Sequence, residues 1–378
     1  MSTLKDYAYY VEDKIDNCLL TNKTYIGVDN LLPNKSGITL SNYKPNEGKS
    51  IKFQKNDILI GNIRPYFKKI WLATFNGGCN TDVLCIRPKN ALHAHYLYSV
   101  LSQDSFFDYD MAGAKGSKMP RGDKKHIMNF PIKVIDNYEQ IGKIIIDIEL
   151  QIKRNNELAQ KLQVLALAIY KRWFIQFDYP NADKNLVYNN ELKREIPDDW
   201  EVINLDELMR KINLIVDDAI NSPTIDLSVM PSSNISLIEL NNSEKFSTNL
   251  NKMIEGNILF GSIRPYLKKC GIAPCNGKVA GTVYQFEESK KDTYNYSLIT
   301  IAQDSFFDYA LKVSKGTRMP VVSAEDILAY KLPYNQKIVS LYNKLPIKKM
   351  IVSINKATIQ LKELREKLLP LLVNGQLQ

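Results

Sequence analysis

The chain of 378 residues holds only three histidines and five cysteines, Cys18, Cys79, Cys85, Cys270 and Cys275. The cysteines are odd in number and form no C-x-x-C pair, which argues against a disulfide framework or a zinc ribbon and for a reducing cytoplasm. His93 and His95 lack further ligands nearby and read as a surface pair, so no metal is expected. No apolar run reaches the ~18 residues a membrane-spanning helix needs. Met1 to Leu20 carries acidic residues where a signal peptide has an apolar core, so a membrane partner is not expected. Catalytic signatures are missing too: there is no glycine-rich phosphate loop, nucleophile elbow or H-E-x-x-H. The Asn/Asp-Pro-Pro-aromatic loop an adenine methyltransferase needs is also missing. Asp183, Glu191 and Lys193 resemble a nuclease carboxylate set, but a chain rich in Glu and Lys produces that pattern by accident.

What the sequence does have is repetition. Gly61-Asn-Ile-Arg-Pro-Tyr-Phe-Lys-Lys69 returns 200 residues on as Gly261-Ser-Ile-Arg-Pro-Tyr-Leu-Lys-Lys269. At the same offset Gln103-Asp-Ser-Phe-Phe-Asp-Tyr109 returns unchanged from Gln303, and Lys115-Gly-Ser-Lys-Met-Pro120 returns as Lys315-Gly-Thr-Arg-Met-Pro320. The chain is a duplicated half, a globule followed by a helix.

The first helix covers Tyr138 to Phe174, without proline and with one glycine. Ile145, Ile152, Ala159, Ala166 and Trp173 alternate with Ile141, Ile148, Asn155, Leu162 and Ile169 in the three-and-four spacing of a coiled-coil seam, Asn155 being a register-setting polar residue. A matching heptad runs through Ile347, Ile354, Leu361 and Leu368 with Met350, Ala357, Leu364 and Leu371. The two are expected to pair as one antiparallel coiled coil, with Ile145, Ile148, Ile152, Leu162, Ile169, Ile354, Leu361, Leu364 and Leu368 as packing residues. Two amphipathic helices in separate bundles remain the alternative. Pro346 removes a backbone hydrogen bond, so the second regular helix is expected to start near Ile347.

The domain boundaries follow: a globule over 1–137, a helix over 138–175, a linker and second globule over 176–335, and a helix over 336–378. Strands are expected at Ile58 to Ile60, Ile70 to Ala73 and Val83 to Ile86, and helix over Ala94 to Phe107. Gln103 to Tyr109 reads as a packed helix end, and Gln176 to Pro197 as a connecting segment. The fold class is mixed α/β (α+β), two globules related by a pseudo-two-fold axis.

The net charge of +9 and pI near 9.0 favour a polyanionic partner. In the repeated block Arg64, Lys68 and Lys69, and Arg264, Lys268 and Lys269, surround a Pro-Tyr turn whose Tyr66 or Tyr266 is suited to pack on sugar or base. Either the arginines grip nucleic acid or they pair an internal carboxylate; the sequence leaves both open. The Lys-Gly-Ser/Thr-Lys/Arg-Met-Pro turn adds Lys115, Lys118 and Arg121, with Lys124 and Lys125 beyond, and Lys315 and Arg318 in the second copy. Its small residues let backbone amides approach phosphate. Val321-Val322-Ser323 replaces Arg121-Gly122-Asp123, so the copies are not expected to read the same ligand. Base contacts are expected from the segments Asn34 to Lys49 and Ser232 to Lys245.

Together, in order and duplicated, these motifs resemble the specificity (S) subunit of type I restriction-modification systems over nearly the whole chain. Phe130-Pro131-Ile132 with Tyr138-Glu139-Gln140-Ile141, the opening of the second globule Ile196-Pro-Asp-Asp-Trp-Glu201, and Leu364-Arg-Glu-Lys-Leu-Leu-Pro370 through Asn374-Gly375 are similar to that family too. Tyr334-Asn-Gln-Lys337 departs from its Glu-Gln junction. The resemblance implies a non-catalytic subunit whose two target recognition domains each read half of a split double-stranded DNA target, with the helical spacer setting the unread gap. It implies docking of modification subunits, two by expectation, and of restriction subunits. S-adenosylmethionine, ATP and Mg are then expected on those partners and no cofactor on this chain. A self-contained metal-dependent nuclease, or a coiled-coil scaffold that does not touch DNA, are the other readings.

Overall fold

The computed structural model describes residues 2–133, 136–182, 185–216, 220–246 and 250–373. The chain divides into two compact units, Met1–Leu150 with Lys362–Gln378, and Gln151–Leu361. Asp183 and the Asn374-Gly375 end of the C-terminal motif lie outside the described residues.

Unit one contains β1 (Ala8–Tyr10), β2 (Lys14–Asp16), β3 (Tyr25–Ile26), β4 (Lys49–Phe53), β5 (Ile58–Gly61), β6 (Ile70–Leu72), β7 (Gly77–Cys79) and β8 (Val83–Pro88). Its helices are α1 (Leu4–Tyr7), α2 (Ala94–Leu101), α3 (Asp104–Gly113), α4 (Lys124–Met128) and the start of α5 (Tyr138–Tyr170). Two four-stranded sheets form, in the orders β1-β8-β5-β6 and β2-β4-β7-β3. Both faces of the first are covered. Ile58 and Ile60 join the helix-side core with Phe106 and Ile145, while Leu59 between them joins the inter-sheet core with Phe53 and Trp71. Burial on both faces explains why these strands read as unbroken apolar runs instead of alternating ones.

Unit two repeats the design with β9 (Leu186–Asn189), β10 (Arg194–Pro197), β11 (Glu201–Asn204), β12 (Met209–Ile212), β13 (Pro223–Ile225), β14 (Asn241–Asn242), β15 (Leu250–Met253), β16 (Ile258–Gly261), β17 (Cys270–Ile272), β18 (Gly277–Ala280), β19 (Val283–Glu288) and β20 (Lys331–Tyr334). Its helices are α6 (Tyr294–Ile301), α7 (Asp304–Val313), α8 (Ala324–Leu328), α9 (Gln336–Asn343) and the start of α10 (Ile347–Val373). The sheet β12-β19-β16-β17 matches its counterpart in register: Ile258 faces Ile272 as Ile58 faces Leu72. The expected strands and the mixed α+β class are present in both copies.

Four features differ from the sequence reading. The segment 176–197, expected to be a simple connection, contains the antiparallel hairpin β9-β10, because Phe177 and Ile196 are anchored in the unit-two core. The run Ala94 to Phe107 breaks into two helices at Ser102 and Gln103. His93 is no surface histidine: it packs edge-on between the rings of Tyr7 and Tyr138. The long helices are not separate pieces, since each unit takes in part of both. Ile141 and Ile145 join Leu369 and Leu372 in one core, and Ala159, Ala166 and Ile351 lie in the other.

In the first helix the seam is as read. Ile145, Ile152, Ala159 and Ala166 are buried, and Ile148, Leu162 and Ile169 are half-buried. In the second it is displaced by one residue. Leu364 and Leu371 are exposed, Ile354, Leu361 and Leu368 are half-buried, and the buried line runs through Ile351, Asn355, Thr358, Leu369 and Leu372. Polar residues conceal that line from a hydrophobic pattern, yet they are satisfied. Asn155 Nδ2 donates to Thr358 Oγ1 at 3.2 Å in unit two, and Arg365 pairs with Glu149 at 3.6 Å in unit one. Within unit two Asn155 meets Thr358 while Ala166, later on α5, accepts from the hydroxyl of Tyr342, earlier in the chain, which is the antiparallel sense expected. The helix α10 starts at Ile347, directly after Pro346.

Candidate nucleic-acid interface

In each unit a strand leaves the first sheet and enters a one-turn helix, Pro65–Phe67 or Pro265–Leu267. Arg64 and Arg264 cap these turns at φ 53, and Lys68 and Lys268 close them at φ 51. The left-handed region costs an L-residue about 1–2 kcal/mol, and such strain held at non-glycine residues marks functional sites. Proline at the first helical position fixes the turn.

The second basic motif forms a closed loop beside it. Lys115 and Arg121 exchange both backbone hydrogen bonds at 2.9 Å, as do Lys315 and Val321. Gly116 and Gly316 take φ +96, a conformation that excludes side chains. The two motifs are joined: the Arg64 amide donates to the Pro120 carbonyl at 2.8 Å, and the Arg264 amide to the Pro320 carbonyl at 2.7 Å. Each unit therefore presents one composite surface of two adjoining turns. Exposed on it are Tyr66, Lys115, Lys118, Met119 and Arg121 in unit one, and Arg264, Tyr266, Lys315, Arg318 and Met319 in unit two. Exposed cations beside an exposed tyrosine supply phosphate contacts and a stacking face.

The lysines of the first motif have different tasks. Lys68 pairs with Asp104 at 2.8 Å and Lys268 with Asp304 at 2.6 Å, locking each turn to the first residue of α3 or α7. Asp304 in turn raises the Lys268 pKa. Lys69 Nζ donates to the Val28 carbonyl at 2.8 Å, and Lys269 Nζ donates to the Leu227 carbonyl. Lys69 and Lys269, expected from the sequence as phosphate contacts, are here bonded to the scaffold. Arg64 is half-buried, with Nε shielded from water and without a hydrogen-bond partner. Among the described residues neither it nor Arg264 forms an ion pair, so the internal carboxylate considered for them is not found.

Lys115 bridges to Asp123 at 2.7 Å, and the lysine together with two backbone amides at the head of α4 holds the Asp123 carboxyl down at about 2. Arg121 pairs with Asp82 at 3.1 Å. Behind the loop Asp110 is fully buried and neither carboxylate oxygen has a partner among the described residues. Burial pushes its pKa up to about 6 against the opposing effect of His126. Gly122 makes room for it, since a Cβ there would stand 2.2 Å from Asp110 Oδ1. In unit two Ala310 and the buried Val322 take these places. The Gly122 difference, read from the sequence as a difference of ligand, is thus in part a difference of packing. Among the described residues no cluster of three or more metal-ligating side chains occurs, no helix is long and apolar enough to cross a membrane, and no disulfide joins any of the five cysteines.

In each unit of this duplicated scaffold of sheets and long helices, one basic surface is built from two adjoining turns, a surface of the charge that suits a polyanion. Its relatives give it a family resemblance. The chain is 24% identical over 317 residues to the type I restriction enzyme MjaIX specificity subunit of Methanocaldococcus jannaschii, covering 78% of this chain and 71% of that one. It is 26% identical over 118 residues to the EcoDI specificity subunit of Escherichia coli, covering 29% of this chain and 26% of that one. The type I restriction-modification S subunit from M. genitalium shares the fold, with a TM-score of 0.52 at 14% identity over 99% of this chain and 93% of that structure. No family model matches the chain. The chain is thus similar in sequence to type I restriction enzyme specificity subunits and shares the fold of one, in line with the resemblance of its motifs.

Proposed function

We propose that this chain is the DNA-recognition and assembly subunit of a type I restriction-modification complex. Each unit binds one half of a bipartite double-stranded target through its pair of basic turns. Exposed faces of the long helices dock modification subunits, two by expectation, and restriction subunits join that assembly. Adenine methylation and cleavage belong to those partners, with S-adenosylmethionine, ATP and Mg bound there, and this chain carries no catalytic group. The observation that supports the reading most is the recurrence of one surface in both copies: a left-handed arginine whose amide is bonded to the Met-Pro turn of a basic loop. Two such surfaces suit a ligand with two similar sites, as split DNA targets are. The named relatives favour this over a self-contained nuclease or a scaffold that does not touch DNA.

The test is co-production with the modification subunit encoded alongside, followed by genome-wide mapping of methylated adenines. A bipartite motif is expected; a single continuous motif, or no DNA affinity in the assembled complex, overturns the reading. Cleavage of DNA by the purified chain with a divalent metal would favour the nuclease instead.

A further inference from the structure

The loop that backs the basic turn of unit two is held by a side chain of α5 that no sequence motif singles out. Gln163 is buried, at 8% exposure. Its Nε2 donates to the Ser233 carbonyl and its Oε1 accepts from the Ile235 amide, both at 2.9 Å. Glutamine carries a donor and an acceptor on one planar group, so it can satisfy both neighbouring backbone groups of a loop at once. Ser233 itself sits at φ 54, and its amide donates to the Lys268 carbonyl at 2.8 Å. The Ile235 carbonyl accepts from the Ile272 amide at 3.0 Å. A continuous chain of hydrogen bonds thus runs from α5 through residues 233–235 to the residue that closes the Arg264–Lys268 turn.

Unit one fastens the equivalent loop by other chemistry. Lys35, at φ 59, donates its amide to the Lys68 carbonyl at 2.9 Å. Its ammonium, with the side chain only 8% exposed, pairs with Asp104 at 3.2 Å and with Glu366 of α10 at 3.4 Å. Two unrelated sets of residues achieving one connection indicate that the connection itself matters: a long helix holds the loop, and the loop holds the basic turn.

We propose that Gln163 is a positioning residue for sequence discrimination by unit two, fixing the loop that leads into 236–245 without touching DNA. This rests on the DNA-recognition reading above. Without the clamp the loop keeps its backbone bonds to Lys268 and Ile272 and the Ser236 bond to Asn355 but loses its tie to α5, and a set of conformers replaces the one that matches the cognate bases. Phosphate contacts from Lys315 and Arg318 do not depend on it.

The experiment uses the full chain assembled with its modification subunits. Gln163→Ala is expected to lower discrimination against single-base changes by about tenfold in one half of the target and to leave the other half unchanged. The slope of affinity against salt is expected to stay as in the wild type. Gln163→Glu keeps an acceptor for Ile235 but sets a buried carboxylate oxygen against the Ser233 carbonyl, so it is expected to lose at least as much discrimination as Gln163→Ala. In the free chain, deuterium exchange at the Ile235 amide is expected to rise in Gln163→Ala. Unaltered exchange, unaltered discrimination, an equal loss in both halves, or a changed salt slope would each overturn the proposal. A wild-type assembly without bipartite preference overturns the specificity reading and the proposal with it, and is told apart because it appears in the unmutated chain.

Discussion

The Arg64 amide donates to the Pro120 carbonyl at 2.8 Å, joining two motifs that lie more than fifty residues apart in the chain. The loop tip beyond that bond carries Lys118, and its counterpart in unit two carries Arg318, both exposed. Changing both to alanine removes charge without disturbing any hydrogen bond or ion pair shown for either. Affinity for cognate and unrelated DNA should fall together, and the salt slope should flatten by about one for each phosphate that is no longer neutralised. Titrations at several salt concentrations check this.

Lys69 should behave in the opposite way. Its ammonium holds the Val28 carbonyl, a charge-assisted bond of roughly 1.5–3 kcal/mol when its partner is kept from water. Lys69→Ala should lower stability by about 1–2 kcal/mol in urea unfolding while leaving the salt slope of DNA binding as it was. A flattened slope with undiminished stability would return Lys69 to the DNA-binding surface.

Asp110 makes unit one sensitive to pH. Its pKa is raised from 3.8 to about 6 in the folded chain, so folding favours its protonated form. That stability is fully present below pH 3.8 and is lost as pH rises through about 6. A shift of this size corresponds to at most ~3 kcal/mol. Asp110→Ala, the residue found at position 310, should therefore raise the melting temperature at pH 8 and do little at pH 4. Equal effects at both values would sink the argument.

Arg365→Met tests the polar part of the seam. Arg365 pairs with Glu149, whose carboxyl is pushed up by burial against the pull of that guanidinium. Removing the cation leaves a largely buried carboxylate uncompensated, at a cost of roughly 3 kcal/mol. The destabilisation should be larger at pH 8 than at pH 5, where Glu149 can take up a proton. Chemical unfolding of the full chain at the two pH values measures it.

The duplication, the two long helices, the strand positions and the basic motifs were all legible in the sequence, because periodicity and repetition are properties of residue order. A single hydrophobic pattern was less informative where polar groups enter the core. Asn355, Thr358 and Arg365 occupy seam positions that a search for leucine and isoleucine passes over, which displaced the expected seam of the second helix by one residue. The hairpin at β9-β10 was hidden for a related reason: only Phe177 and Ile196 betray its anchoring, amid a polar stretch.

Sequence alone determined that one head-and-helix half occurs twice and that each copy carries the same two basic turns. Only the tertiary structure decided how those lysines divide their labour. Lys69 and Lys269 are spent on backbone carbonyls, Lys68 and Lys268 on aspartates, and Lys118 and Arg318 face water. The cause is that a charged side chain takes its role from the partner brought within about 3 Å of it, and those partners come from segments such as Val28, Leu227, Asp104 and Asp304, whose approach depends on the folded chain.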